Sequence, residues 1–288
     1  MLHVSLRRRI SPTSFSCLAF FFTFLTVVPS LKATAQGDLL IAPKRTVFEG
    51  RERYKELNVS NIGKDTARYE ISLIHYRMKE DGSLEKLSAQ DSGILFADSF
   101  VRFFPRMVTL SPGESQVVRL QLTQTSAMSN GEYRSHLYFR SVPKQKPLGE
   151  IETKKTDSNT FSIKLNAVFG IAVPVIIRVG ETTMKVGLSN CSFDKSGLPS
   201  VKMTLERVGN MSCYGDITID HVATSGTVTR VAELKGIAVY TPLEKRQVKL
   251  ALHPIPGIDY TTGKLHVVYT AKENLSQNSI AQTEVYLN

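Results

Sequence analysis

The sequence predicts an all-β fold of two β-sandwich domains behind a removable leader. Three observations carry this expectation. From residue 37 onward the apolar residues recur at the period of two that marks strands, and no stretch shows the three-to-four spacing of an amphipathic helix. Gly, Pro, Asn and Asp punctuate these runs at short intervals, as turns in all-β chains do. A length of 288 residues is enough for two cores.

The first 35 residues read as a leader. Arg7, Arg8 and Arg9 precede an apolar run over 18–28, and Ala33-Thr34-Ala35 closes it. That is a charged region, an apolar core and a small-residue cleavage motif, so cleavage after Ala35 and export are expected. A transmembrane anchor is the alternative, but the run is shorter than the ~20 residues that span a bilayer, and no membrane insertion is expected once the leader is removed. Cys17 sits before the apolar core, where a lipoprotein cysteine would not. The leader takes four cations and no acid from a net charge of +10, which leaves +6 spread along the chain. The densest basic stretch is 144–155. Without an accompanying helical or aromatic motif it reads as a solvated face, and no nucleic acid partner is expected.

Residues 36–177 make the first domain. Leu39, Ile41 and Val47 open it as one strand through Pro43, ending at Glu49-Gly50. Leu57 and Val59 form a second strand. Tyr69, Ile71 and Leu73 form a third, closed by Glu80-Asp81-Gly82, and 83–100 has no readable period. Val118, Leu120 and Leu122 follow the Ser111-Pro112-Gly113 turn, and Tyr133, Ser135, Leu137 and Phe139 continue the pattern. The last strand, NTFSIKLNAVFGIAVPVIIR (159–178), dominates the domain. Phe161, Ile163, Leu165, Ala167, Phe169, Ile171 and Val173 alternate without a break, far beyond the usual ~5–6 residues of a strand. An apolar strand this long, next to the charged stretch 144–158, is an aggregation hazard unless its edge is put to use. About seven strands suit an immunoglobulin-like sandwich.

Residues 178–288 make the second domain. Its strands are marked by Met184, Val186 and Leu188; Val201, Met203 and Leu205; Ile217 and Ile219; Ile237 and Val239; Val248, Leu250 and Leu252; Leu265, Val267 and Tyr269; and Val285 and Leu287. The long strand joins the two domains with almost no linker, so a definite interdomain angle and a cleft are expected. Cys191 and Cys213, the cysteines left after processing, can pair in an oxidising compartment.

Catalytic motifs are absent. His75, His136, His221, His253 and His266 are scattered without metal-ligand spacing, and there is no phosphate loop, zinc pattern or nucleophile elbow. His136 and His266 fall on the polar phases of their strands and read as solvated. No enzyme activity, cofactor or metal is expected. The lack of tryptophan and of clustered acid pairs weighs against carbohydrate hydrolysis in particular. Arg45 is the polar residue that stands out. It is in phase with Leu39, Ile41 and Val47, so its planar guanidinium must reach either a rim or a cleft, where it suits a carboxylate.

Three stretches resemble PapD-like periplasmic chaperones of the chaperone–usher pathway: APKRTVFEG (42–50) with LNVSN (57–61), PRMVTLSPGESQVVRL (105–120) and GEYRSHLYFRSVP (131–143). They cover most of the first domain in order. The second domain is similar only in being a β-sandwich of like size. The resemblance implies a boomerang of two immunoglobulin-like sandwiches in the periplasm, active in pilus and fimbrium biogenesis. It implies capture of pilus-like subunits by strand donation, delivery to an outer-membrane usher, and no cofactor or ATP. It makes Phe161, Ile163 and Leu165 the donor residues, with Ala167 and Phe169 extending the set, and admits a dimer that caps its own donor strand. It makes Arg45 the anchor for the subunit's terminal carboxylate. The family's strand lysine falls at Phe169, and the nearest lysine, Lys164, is on the opposite face. The family's interdomain polar cluster is matched by Glu132 and Asp259, while its basic member falls at Val173. A secreted adhesion or matrix-structural protein is the alternative reading.

Overall fold

The computed structural model describes residues 39–87, 93–143, 169–272 and 280–287. The leader and the donor residues Phe161, Ile163, Leu165 and Ala167, with Lys164, lie outside the described residues. No helix among the described residues is long and apolar enough to cross a membrane.

The first sandwich is built from β1 (Leu39–Ala42), β2 (Thr46–Phe48), β3 (Tyr54–Asn61), β4 (Ala67–Ile74), the short pair β5 (Tyr76–Met78) and β6 (Leu84–Lys86), β7 (Val101–Phe104), β8 (Met107–Leu110), β9 (Ser115–Leu122), β10 (Gly131–Ser141) and β11 (Gly170–Val179). One sheet has the order β1-β3-β9-β7 and the other β2-β11-β10-β4-β8. Alternation explains the layering. In β9, Val118, Leu120 and Leu122 are buried while Val117, Arg119 and Gln121 face outward. The inward rows of both sheets, including Leu57, Val59, Leu110, Leu137, Phe139, Val173 and Val175, form one core.

The opening strand differs from its sequence expectation. It is two strands in two sheets, divided at Pro43, which has no N–H to offer a ladder. β1 pairs with β3, whereas β2 runs parallel to β11, with Thr46, Val47 and Phe48 opposite Val175, Ile176 and Ile177. Crossing between sheets reverses the phase. Leu39 and Ile41 enter the core ahead of the break, but after it Phe48 does so and Val47 turns outward against the second sandwich. Arg45, two residues before Val47, goes with it.

The turn at Glu80-Asp81-Gly82 does not simply close β4; it is the tip of the β5–β6 hairpin. There the Asp81 carboxylate accepts from the Ser83 N–H and hydroxyl at 2.8 and 2.6 Å. Among the described residues, 83–100 holds a single strand, β6, whose three residues are too few to show a period.

The second sandwich contains β12 (Met184–Asp194), β13 (Ser200–Gly209), β14 (Cys213–Val222), β15 (Val228–Val239), β16 (Lys245–Ala251), β17 (Lys264–Ala271) and β18 (Ile280–Tyr286). Its sheets have the orders β12-β13-β16 and β15-β14-β17-β18. Every strand expected here from alternation is present. In β14 the close passage of β17 requires glycine: a Cβ on Gly215 would lie 2.1 Å from the Thr270 carbonyl oxygen. The disulfide that Cys191 and Cys213 could make is not formed. The two residues sit on different sheets, and Cys191 lies within the bulge between Ser189 and Ser192, with its thiol on the Ser189 carbonyl, 3.6 Å away.

The two sandwiches pack directly on each other. Met78 and Ile176 of the first and Ala238 and Tyr240 of the second form a small buried cluster, with Val47, Tyr214 and Leu243 at its margin. The hairpin tip adds a backbone hydrogen bond, from Gln247 N–H to the Glu80 carbonyl at 2.6 Å.

Candidate functional site: an open strand edge leading to a basic cleft

β11 carries a row of apolar side chains that leaves the core toward its N-terminal end. Val175 is fully buried and Val173 is 3 % exposed; Ile171 is half-buried, and Phe169, just before the strand, is 42 % exposed. The phase does not change along this row, so the sandwich ends while the apolar pattern continues. Phe169 is held to β10 on one side: its N–H donates to the Ser141 hydroxyl at 3.0 Å, and its carbonyl accepts from the Ser141 N–H at 2.8 Å. On the other side β2 covers only 175–177. Among the described residues, β11 therefore has an open backbone edge over 170–174. On the opposite phase the Tyr138 ring lies over Gly170, within 2.3 Å of where a Cβ would stand.

Pro174, at the end of this open edge, is a wall of a cavity of about 460 Å³ between the sandwiches. Lys44, Arg45, Lys235 and Lys272 also line it, with Tyr214 and Tyr240 as aromatic walls. The Arg45 guanidinium lies 4.8 Å from the centre of the Tyr214 ring, and the Lys272 ammonium is 5.6 Å from the same ring. Asp216 fixes Lys272 at 2.9 Å and itself accepts from the Gly236 N–H at 2.9 Å. Burial pushes the Asp216 carboxyl up, but that N–H and the ammonium outweigh it and leave the group below its ordinary value. Lys235 is paired with Glu233 at 3.3 Å.

Behind Tyr240 lies a second positive layer. Arg134 is 2 % exposed, with its guanidinium 4.3 Å from the centre of the Tyr240 ring. Its Nη2 donates to the Thr241 carbonyl at 3.1 Å, while Nε and Nη1 have no hydrogen-bond partner among the described residues. Burial lowers its pKa, and neighbouring Arg45 lowers it further, against the pull of Tyr240 and Glu132. His136 is also 2 % exposed, not solvated as its strand phase suggests. It lies edge-on to Tyr76 and Tyr240, and burial, with Arg134 and His75 nearby, pushes its pKa down to about 3.

A separate clasp joins the sandwiches. The buried Glu132 carboxylate accepts from Arg178 Nε at 3.1 Å, from the Ser212 N–H at 2.9 Å and from the Ser212 hydroxyl. Arg178 also pairs with Glu49. The Ser212 end is held by Arg207, which donates to the carbonyls of Gly209 and Met211 at 2.6 and 3.1 Å. Glu132 thus occupies the interdomain cluster, but Asp259 does not. Asp259 is exposed and caps its own turn, accepting from the Thr261 N–H and hydroxyl at 2.8 and 2.7 Å. The cation of the clasp is Arg178; Val173, five residues earlier, has its side chain in the core. No group of His, Cys, Asp and Glu that could hold a metal occurs among the described residues.

No family model matches this chain, and no curated protein matches it. Among solved structures, the chain is similar to a chain of the chaperone–tip adhesin complex of CFA/I fimbriae, at 12% identity and a TM-score of 0.42, covering 87% of this chain and 99% of that one. It is similar to the YadV chaperone at 12% identity and 0.41, covering 86% and 99%. It is also similar to a chain of the CsuC–CsuE chaperone–tip subunit pre-assembly complex of the archaic chaperone–usher Csu pili of Acinetobacter baumannii, at 13% and 0.42, covering 86% and 97%.

Proposed function

We propose that this chain is a non-enzymatic periplasmic chaperone, exported by the leader 1–35. On this reading it holds pilus-type subunits by lending them a β-strand and passes them to an outer-membrane usher. The lent residues are Phe161, Ile163 and Leu165, with Ala167 and Phe169 extending the row. The observation that carries the reading is the row along β11. It leaves the core at Ile171 and Phe169 beside an open backbone edge, and the sequence continues the same alternation back to Phe161.

Physically, a subunit lacking its last strand has an open ladder and an unfilled apolar groove. Backbone hydrogen bonds from the lent strand close the ladder, and the alternate side chains fill the groove. Apolar burial at ~25 cal/mol per Å² supplies most of the affinity, with no role for ATP or a cofactor. Arg45, in the cavity that this edge runs into, anchors the subunit's terminal carboxylate.

Co-expression with a pilus-type subunit tests this. Arg45→Ala and Ile163→Asp chaperones are expected to accumulate like the wild type but to recover several-fold less soluble subunit. Equal recovery by all three would remove strand lending.

A further inference from the structure

The carboxylate anchor has a cation in place at Arg45, but the strand position where the resembling family carries its lysine is Phe169, whose exposed ring offers no charge. The cavity provides a replacement from the other domain. We infer that Lys272, one residue past β17 in the second sandwich, is the second point of the anchor. The chain-terminal carboxylate of the bound polypeptide is then gripped between the two domains. This inference rests on the strand-lending reading above.

Four features support Lys272. It and Arg45 approach the same Tyr214 ring, so one aromatic side chain sets the spacing of the two cations. Asp216 accepts one of the three ammonium protons and is itself fixed by the Gly236 N–H, which aims the remaining donors without using them up. Lys235, the other second-domain lysine at the cavity, is drawn instead to Glu233. Finally, the buried charge of Arg134 sits behind Tyr240 with two nitrogens, Nε and Nη1, lacking a hydrogen-bond partner among the described residues, which keeps the potential of the cavity positive.

The topology favours a chain terminus over any other carboxylate. A strand laid on the open edge of β11 occupies the lane that β2 continues, and β2 starts at Thr46, directly after Arg45. If that strand runs parallel to β11, its carboxyl end arrives at Arg45 and Lys272. Running antiparallel, it would bring an ammonium end into a cavity of cations. The charge of the cavity therefore also selects the direction of the bound strand.

The test uses a synthetic peptide of alternating apolar residues, labelled at its N-terminus, with either a free carboxylate or an amide at its C-terminus. Binding to the full chain is followed by fluorescence anisotropy. The wild type is expected to prefer the acid over the amide on the order of tenfold, as for a charge-assisted pair. Arg45→Ala and Lys272→Gln should each abolish most of that preference. Lys64→Gln, an exposed change in the first sandwich, should retain it. Acetate at peptide concentrations should not compete. If Lys272→Gln keeps the full preference while Arg45→Ala loses it, the inference falls and strand lending stands. Effective competition by acetate would reduce the cavity to a general anion site and also overturn the inference. If neither peptide binds, strand lending itself falls, and the inference goes with it.

Discussion

Two buried arginines lie on neighbouring strands of the first sandwich, both facing the second, and they are treated in opposite ways. Arg178 on β11 has Glu132 and Glu49, and Glu132 is itself satisfied by Ser212. Arg134 on β10 has a carbonyl and an aromatic ring. A buried charge is tolerated when paired and well hydrogen-bonded, and is costly otherwise. The first arrangement fastens the domains. The second leaves positive charge beside a cavity, which suits a place where an anionic group is to arrive. On the proposed reading, the Glu132–Arg178 clasp fastens the domains and the Arg134 side is where a subunit's carboxylate would arrive.

The sharpest way to break this distinction is Glu132→Ala. It removes the carboxylate from a buried arginine and orphans the Ser212 N–H, so urea denaturation should show a loss of roughly 3–5 kcal/mol. An unchanged midpoint would mean that the clasp does not fasten anything. Arg134→Met is the mirror experiment. Replacing an uncompensated buried charge by an apolar chain should be neutral or stabilising, by up to ~1–4 kcal/mol. A loss as large as that of Glu132→Ala would show that Arg134 is part of the fastening.

The pH dependence sharpens the same contrast. With its folded pKa near 3 against an ordinary value of 6.5, His136 is neutral when buried and protonated when unfolded across that interval. The unfolded state binds the extra proton, so stability should fall as pH falls from about 6.5 toward 3. The slope from this residue is at most roughly 1.4 kcal/mol per pH unit. His136→Leu should flatten the curve in that window, and an unaltered curve would mean that His136 is not buried neutral. The smallest effect belongs to a cation paired in solvent. Arg230→Ala breaks an exposed pair with Asp220 and should cost less than ~1 kcal/mol in the same denaturation assay.

Much of this was legible in the sequence because strand alternation reports burial within a single sandwich. The second-domain strands and the described end of the row, from Phe169 to Val173, follow from alternation, and so does the prominence of Arg45. What alternation cannot report is a second domain lying on the outer face of a sheet. His136 and Arg134 sit on the phase that faces away from their own core, and Tyr240, which packs on both, lies just past β15, about a hundred positions later. Arg178 was missed for a related reason: its partner Glu132 is opposite it across the β10–β11 ladder, a register that position relative to Pro174 does not reveal. Asp259 shows the converse error. An acid in a turn with Thr two residues on satisfies itself locally, and the signal for that was present in Asp259-Tyr260-Thr261.

The most direct measurement is amide hydrogen exchange over 161–173, in the chain alone and bound to a pilus-type subunit that lacks its last strand. If the strand is lent as proposed, exchange should slow on binding across 161–173, where it and the open edge of β11 gain a partner, while β12 to β18 change little. An unchanged segment in a complex that nonetheless forms would contradict the claim that this strand is what the chain lends.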